Sequence, residues 1–177
     1  MVREETTMGK HYRETMEIIK GRRSIRRFSR QPVEPDKIER LLEAARWAPS
    51  SGNRQPWQFV VITRAQTIAT LKMILPGVMG NMTAGPVLLG ICLDTLRRSE
   101  WSEIDLGCAL QNLLLCAHSL GLGACAIGGF DRALVRELLQ LPDESDLCML
   151  VTLGYPSALA SAPPRRELAD LLIKVID

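Results

Sequence analysis

The chain lacks an excess of charge of either sign, a long uninterrupted apolar run and the paired cysteines of a disulfide or metal framework. Its 22 Lys and Arg residues nearly balance 20 Asp and Glu residues, so it offers no broad basic field for nucleic acid. No uninterrupted apolar run approaches the roughly 20 residues needed to cross a bilayer, and the amino-terminal residues lack the apolar core of a signal peptide. These absences predict a soluble, cytoplasmic protein that engages neither a membrane nor nucleic acid.

The five cysteines are odd in number, form no C-x-x-C pair and lie inside apolar runs. Buried free thiols of a reducing compartment have this distribution. We therefore predict that they serve packing and bind no metal. They are Cys92, Cys108, Cys116, Cys125 and Cys148.

The hydrophobic content, 46% of 177 residues, is enough for one sizeable core and too little for two ordinary domains. We expect a single domain over residues 1–177, with residues 1–12 as a flexible N-terminal extension. The helical spacing of apolar residues from Ile38 to Ala45 predicts a helix that starts at Pro35 and stops before Pro49.

Other apolar segments predict the interior of the fold. The runs 57–62, 86–93 and 147–153 are bounded by turn residues, as interior strands are, and their alternation with helices favours a parallel sheet. The segment from Ile104 to Leu120 is long enough for a full helix and has almost no polar face. Such a helix is buried on every side, either partly by a second subunit or as the central helix of a monomer. We expect the homodimer.

Two polar clusters carry the chemistry of the chain. Residues 22–30 contain five arginines, whose guanidinium groups match phosphate oxygens, although such a cluster is also typical of a solvated surface. Residues 49–56 combine two prolines, a glycine, two serines, an asparagine and a glutamine between two of the three tryptophans. An ordinary connector does not require this composition.

These clusters belong to an ordered set of motifs. They read R-R-S-x-R at 22–26, P-S-S-x-N-x-Q-P-W at 49–57 and D-x-G-x-A-x-Q-N at 105–112, followed by L-G-L-G at 120–123. In this order and spacing the chain resembles the nitroreductase family, the FMN-dependent NAD(P)H oxidoreductases, from Met16 to Leu172. The resemblance implies an α+β fold with a central, mostly antiparallel sheet flanked by helices, assembled as an intertwined homodimer. It replaces the parallel sheet, because burial on both faces does not determine strand direction.

The resemblance also implies a flavin site shared between subunits. One subunit would hold the FMN phosphate and ribityl chain through Arg22, Arg23, Ser24 and Arg26. The other subunit would bring a loop against the flavin through Pro49, Ser50, Ser51 and Asn53.

The segment after residue 127 has two compatible interpretations. The resemblance implies that backbone at Gly128 and Gly129 approaches flavin N5, where an N–H group stabilises developing charge. The same residues are typical of a strand-to-helix turn with Asp131 as the N-cap.

Near the end of the chain, Arg165 and Arg166 resemble a terminal basic motif whose cation reaches the FMN phosphate. A basic pair that serves only solubility is the alternative. For the pyrimidine end of the flavin, the sequence offers only Asn81 as a weak candidate.

The implied activity is hydride transfer from NADH or NADPH, through FMN, to a small aromatic acceptor such as a nitroaromatic, a quinone or a flavin, by a ping-pong mechanism. Because the flavin carries the electrons, no catalytic side chain is expected, in agreement with a chain whose two histidines are His11 and His118. The alternatives are a dehalogenating, flavin-cleaving or azoline-oxidising enzyme on the same scaffold, and a flavin-binding protein without turnover.

Overall fold

The computed structural model of the chain describes residues 7–79, 87–158 and 160–176. Within these residues one four-stranded sheet forms the centre of the fold. Its strands are β1 (Trp57–Ile62), β2 (Val87–Asp94), β3 (Gly123–Ile127) and β4 (Ser145–Gly154). They lie in the order β1-β2-β4-β3, and every neighbouring pair is antiparallel. The parallel sheet favoured by the apolar runs is therefore wrong, and the antiparallel sheet implied by the family resemblance is confirmed.

Helices cover both faces of this sheet. They are α1 (Thr7–Gly21), α2 (Pro35–Arg46), α3 (Ala65–Ile74), α4 (Pro76–Met79), α5 (Ser102–Ser119) and α6 (Arg132–Leu139). Along β2, Leu89 and Ile91 pack into the cluster that includes α2 and α5, whereas Leu88 and Cys92 pack into the cluster that includes α3 and α6. Because successive side chains of a strand point to opposite faces, burial on both faces explains why β2 is an almost continuous apolar run.

Helix α2 confirms the expected boundaries. Pro35 occupies the first turn, Asp36 places an acidic group near the positive end of the helix dipole, and the helix ends at Arg46. Its apolar stripe, Ile38, Leu41 and Ala45, is buried. The polar loop that leads to β1 begins directly after this helix.

Helix α5 is buried along one stripe only. Leu106, Ala109, Leu113 and Ala117 are buried, whereas Ile104 on the other side is 60% exposed. Burial on every side is thus not achieved within one chain.

Helix α1 and one 3-10 turn lie near the two ends of the described chain. Helix α1 begins at Thr7, so residues 7–12 of the expected flexible extension are helical. After β4, the described residues form a single 3-10 turn at Leu168–Asp170. Among the described residues, no helix combines the length and apolar character needed to span a bilayer.

Candidate functional site

The arginine-rich segment that follows α1 lies against the exposed edge of the sheet. Ser24 forms a parallel bridge with Ala124 of β3, and the backbone N–H of Ile25 donates to the carbonyl of Ala124 at 3.0 Å. Ile25 is buried, while Ser24 and Arg26 on either side of it are exposed. The alternation of an extended segment therefore turns Ser24 and Arg26 outward together.

This approach depends on a glycine in β3. A Cβ atom at Gly123 would lie 2.7 Å from Cβ of Ile25, closer than real carbon contacts allow. Without that atom, the segment can lie directly on the strand.

The segment after β4 runs along the other side of the arginine-rich segment. Ser29 N–H donates to the carbonyl of Tyr155 at 2.8 Å, and Ser157 N–H donates to the carbonyl of Arg27 at 3.0 Å. Between the two segments lies an open cleft of about 670 Å³, within the range of about 300–1,000 Å³ typical of small-molecule sites. We call it the arginine cleft. It is lined by Arg22, Arg23, Ser24, Arg26, Ala160, Ser161, Pro163 and Arg165.

The electrostatic character of the arginine cleft is cationic, because four arginines and no acidic residue are among its described lining residues. The positive charge of the cleft also acts on Cys125 in the neighbouring strand β3. Burial raises the pKa of the Cys125 thiol, while the positive charges of Arg26 and Arg22 act to lower it. An anionic group is therefore the ligand chemistry that this cleft favours.

The side chains of Arg23 and Arg166 donate hydrogen bonds to backbone carbonyls close to them in the chain. Arg23 donates to the carbonyls of Lys20 at 2.5 Å and Arg22 at 2.8 Å, so its guanidinium is turned back onto the end of α1. Arg166 donates to the carbonyl of Asp170 at 2.6 Å and is not among the lining residues, whereas Arg165 is.

A network that the sequence analysis missed anchors the segment after β4. The Tyr155 hydroxyl donates to Oε2 of Glu34 at 2.7 Å and accepts from Nζ of Lys37. The hydrogen bond from Tyr155 is the main reason why the pKa of Glu34 is lowered, and the hydrogen bond to Tyr155 raises the pKa of Lys37. No local pattern links Tyr155 to residues more than a hundred positions earlier, so only the fold shows this contact.

The loop between α2 and β1 has an unusual backbone. Gly52, Asn53 and Gln55 have φ values of 58°, 54° and 50°. The left-handed region is costly for the two non-glycine residues. Ser50 stabilises the loop from within, because its carbonyl accepts from Asn53 N–H at 2.9 Å and its Oγ accepts from Gln55 N–H at 3.0 Å. Ser51 N–H donates to Oδ1 of Asp105 in α5 at 3.1 Å.

The loop and the arginine cleft lie at opposite edges of the sheet. The loop leads into β1, whereas Ser24 bridges to β3, and β2 and β4 lie between them. Three interstrand spacings amount to about 14 Å. One chain therefore does not bring Pro49, Ser50, Ser51 and Asn53 onto Arg22, Ser24 and Arg26.

The two glycines after β3 are exposed, and the space around them is open. A Cβ atom at Gly129 would meet nothing within 4 Å, and one at Gly128 would meet only Cε of Met149 at 3.9 Å. Asp131 caps α6, since its carboxylate accepts from Leu134 N–H at 3.1 Å. The capped turn is confirmed.

Asn81 and His118 are two further residues that the sequence analysis named. Asn81 lies outside the described residues. His118 packs against the backbone of Gly21 at the end of α1. Within the described part of the chain, no group of three or more His, Cys, Asp and Glu residues is placed to hold a metal ion.

Comparison with known proteins places this geometry in a family. The family model described as the nitroreductase family matches residues 19–88 and 79–155. The chain belongs to the nitroreductase family. A relative from Methanothermobacter thermautotrophicus, provisionally named an NADH dehydrogenase/NAD(P)H nitroreductase, is 34% identical over 89% of this chain and 83% of its own length.

Solved structures of nitroreductase-family proteins have the same fold. A provisionally named nitroreductase from Desulfovibrio desulfuricans, in complex with FMN, superimposes with a TM-score of 0.83 at 31% identity, over 91% of this chain and 96% of its own. The NADPH:FMN oxidoreductase of Vibrio harveyi, complexed with NAD+, gives a TM-score of 0.81 at 27% identity, over 90% of this chain and 76% of its own.

Proposed function

We propose that this nitroreductase-family protein is an FMN-dependent oxidoreductase that carries hydride equivalents from NADH or NADPH to a small aromatic acceptor, such as a nitroaromatic, a quinone or a flavin. The observation that carries the proposal is the arginine cleft, in which four arginines and Ser24 surround a space of small-molecule size with no acidic residue among the described lining. A phosphate monoester is the part of FMN that this surface fits.

Arg22, Arg26 and Arg165 would hold the phosphate, because guanidinium groups donate parallel hydrogen bonds to its oxygens. The Ser24 hydroxyl adds a neutral donor. Arg23 would contribute charge more than direct contact, since its guanidinium already caps α1. Because Arg166 already donates to the carbonyl of Asp170, we assign the phosphate contact to Arg165 and not to Arg166.

When bound, FMN supplies the redox chemistry, by accepting a hydride from the nicotinamide and passing the electrons to the acceptor. The protein binds and orients the ring. Gly128 and Gly129 have open space where a side chain would stand, and their backbone N–H groups would stabilise charge at the ring edge. The short side chains of Ser50, Ser51 and Asn53 would allow the loop to approach the ring closely.

The functional unit in this proposal is a homodimer. The loop and the arginine cleft are separated by the width of the sheet in one chain, so a second chain would supply the loop to each site. Exposed apolar side chains support association, because monomers rarely leave so many uncovered. Near the end of the chain they are Leu168, Leu171, Leu172, Ile173, Val175 and Ile176, each more than half exposed.

The first experiment is to purify the protein, record its absorption spectrum and identify the released flavin by chromatography. Steady NAD(P)H consumption with a nitroaromatic or quinone acceptor is the expected result. Retention of FMN without turnover would instead identify a flavin-binding protein.

Arg22→Ala should lose FMN more readily than Arg30→Ala, because Arg30 is exposed and outside the cleft lining. Equal FMN content in Arg22→Ala and wild type would count against the arginine cleft.

A mixing experiment tests the shared site. Arg22→Glu and Ser50→Trp should each abolish FMN binding in a homodimer. A heterodimer of the two variants has one doubly damaged site and one intact site, so unfolding and refolding them together should restore partial activity. If each flavin were held within one chain, no activity would return. An active, FMN-loaded monomer in size-exclusion chromatography would refute the homodimer directly.

A further inference from the structure

Helix α5 contains a buried carboxylate that makes a single hydrogen bond. Asp105 is only 6% exposed, and its Oδ1 accepts from Ser51 N–H at 3.1 Å. Its Oδ2 is fully buried and has no hydrogen-bond partner among the described residues.

This arrangement is a poor way to stabilise the fold. A buried carboxylate loses its hydration, and this loss is offset only when its oxygens are hydrogen-bonded. Among the described residues, only one oxygen of Asp105 has a hydrogen-bond partner, and the buried residues Leu106 and Ala109 lie on the same stripe of α5. An apolar residue at this position would avoid the cost. The role of Asp105 is therefore to be sought in its hydrogen bond to Ser51 N–H.

The bond holds Ser51, which directly precedes the part of the loop where Asn53 and Gln55 adopt a costly backbone conformation. The positive φ values at Gly52, Asn53 and Gln55 follow directly after Ser51. Strained backbone persists only where the surrounding structure determines it, and it concentrates at functional sites.

A second side chain of α5, that of Asn112, holds the last turn of α2, from which the loop begins. Asn112 lies two helical turns after Asp105, on the same face of α5, and its Nδ2 donates to the carbonyl of Ala44 at 3.1 Å. Ala44 is in the last turn of α2. Asp105 and Asn112, the first and last residues of the D-x-G-x-A-x-Q-N motif, thus hydrogen-bond to the loop and to the helical turn before it.

We propose that Asp105 is a positioning residue, which holds Ser51 N–H so that Ser50, Ser51 and Asn53 are presented to the flavin in a prepared conformation. This inference rests on the proposed function only for the identity of the ligand. That Asp105 holds the loop is a separate claim, and it can be tested without FMN.

The experiment compares Asp105→Ala and Asp105→Asn with wild type in the full-length protein, by three measurements. They are the Kd for FMN by fluorescence titration of the flavin-free protein, the midpoint of thermal unfolding of that protein, and the rate of tryptic cleavage after Arg54 by mass spectrometry. Arg54 is exposed in the middle of the loop, so its cleavage reports loop order.

Asp105→Ala should raise the Kd for FMN by about tenfold to a hundredfold, the range for one hydrogen bond to a charged group. Cleavage after Arg54 should accelerate, while the unfolding midpoint should stay the same or rise, because a half-satisfied buried charge is gone. Asp105→Asn retains an acceptor for Ser51 N–H and should lie between Asp105→Ala and wild type in both Kd and cleavage.

Ser102→Ala is the matched control. Ser102 is also buried in the first turn of α5, 1% exposed, but its Oγ accepts from Ser99 N–H at 2.8 Å, which lies outside the loop. Its Kd and cleavage rate should equal those of wild type.

Unchanged FMN affinity and unchanged cleavage in both Asp105 variants would overturn the inference. A fall in unfolding midpoint that accompanies weaker binding would also overturn it, because Asp105 would then act through overall stability. If wild type binds no FMN, the proposed function fails, and faster cleavage after Arg54 still decides whether Asp105 holds the loop.

Discussion

Replacing Gly123 with alanine should separate the arginine-rich segment from the sheet. The new Cβ would lie 2.7 Å from Cβ and 2.8 Å from Cγ1 and Cγ2 of Ile25. Carbon atoms in contact normally lie about 3.5–4.0 Å apart, so Ile25 would have to retreat by roughly 1 Å. A rotamer change does not relieve the clash, because Cβ of Ile25 is attached directly to the backbone. The hydrogen bond from Ile25 N–H to the carbonyl of Ala124, now 3.0 Å, would lengthen with it.

The expected loss of stability follows from the cost of overpacking, about 1–3 kcal/mol. For a chain of this size, each kcal/mol lowers the unfolding midpoint by about 2–4 °C, which gives a decrease of about 2–12 °C. Ser24 and Arg26 flank Ile25 and line the arginine cleft, so their displacement should also weaken FMN binding. Loss of one charge-assisted contact corresponds to about tenfold or more in Kd.

The assay is thermal unfolding of the flavin-free protein by circular dichroism, together with FMN titration. Gly77→Ala is the control, since a Cβ at Gly77 in α4 would meet nothing within 4 Å. It should leave FMN affinity unchanged and the midpoint unchanged or slightly higher. A Gly123→Ala protein with the unfolding midpoint and FMN affinity of wild type would refute the close approach of Ile25 to β3.

Three further outcomes are expected. Arg46 and Trp47 lower the pKa of Glu43 from 4.5 to about 2, so Glu43 contributes stability above pH 4.5 that is lost as the pH falls toward 2. Glu43→Gln should therefore lose less stability than wild type over that interval in denaturant titrations, and equal losses would contradict the contact. Raising ionic strength from about 0.01 M to 0.15 M shortens the Debye length from about 30 Å to 8 Å and should weaken FMN binding; a salt-independent Kd would argue against the cationic cleft. Burial raises the pKa of Cys92 to about 12, so thiol reagents near pH 8 should label it only after unfolding. Labelling of Cys92 in the native protein, located by mass spectrometry, would contradict its burial.

Local patterns in the sequence predicted part of the secondary structure and the chemical character of the two polar clusters. The boundaries of α2 follow from an apolar stripe, an initial proline and a later proline, all of which act over a few residues. Strands β1, β2 and β4 follow from dense apolar runs for the same reason, whereas β3 was not predicted from the sequence. The arginines of residues 22–26 already indicated an anion site, because the guanidinium group itself has that preference.

Only the tertiary structure decided which of these groups meet. Continuous apolar strands are compatible with either direction, so their antiparallel pairing appears only in the hydrogen-bond register. Arg165 and Arg166 are equivalent in sequence, yet one lines the cleft and the other bonds to Asp170.

The role of Asp105 shows the same limit most clearly. In sequence it is an acidic residue near the start of a helix, where the helix dipole alone would explain it. Its contact with Ser51, 54 positions earlier, exists because α5 packs against the end of α2. Sequence patterns report forces that act between near neighbours, whereas the partner of a buried polar group is chosen by packing between distant segments.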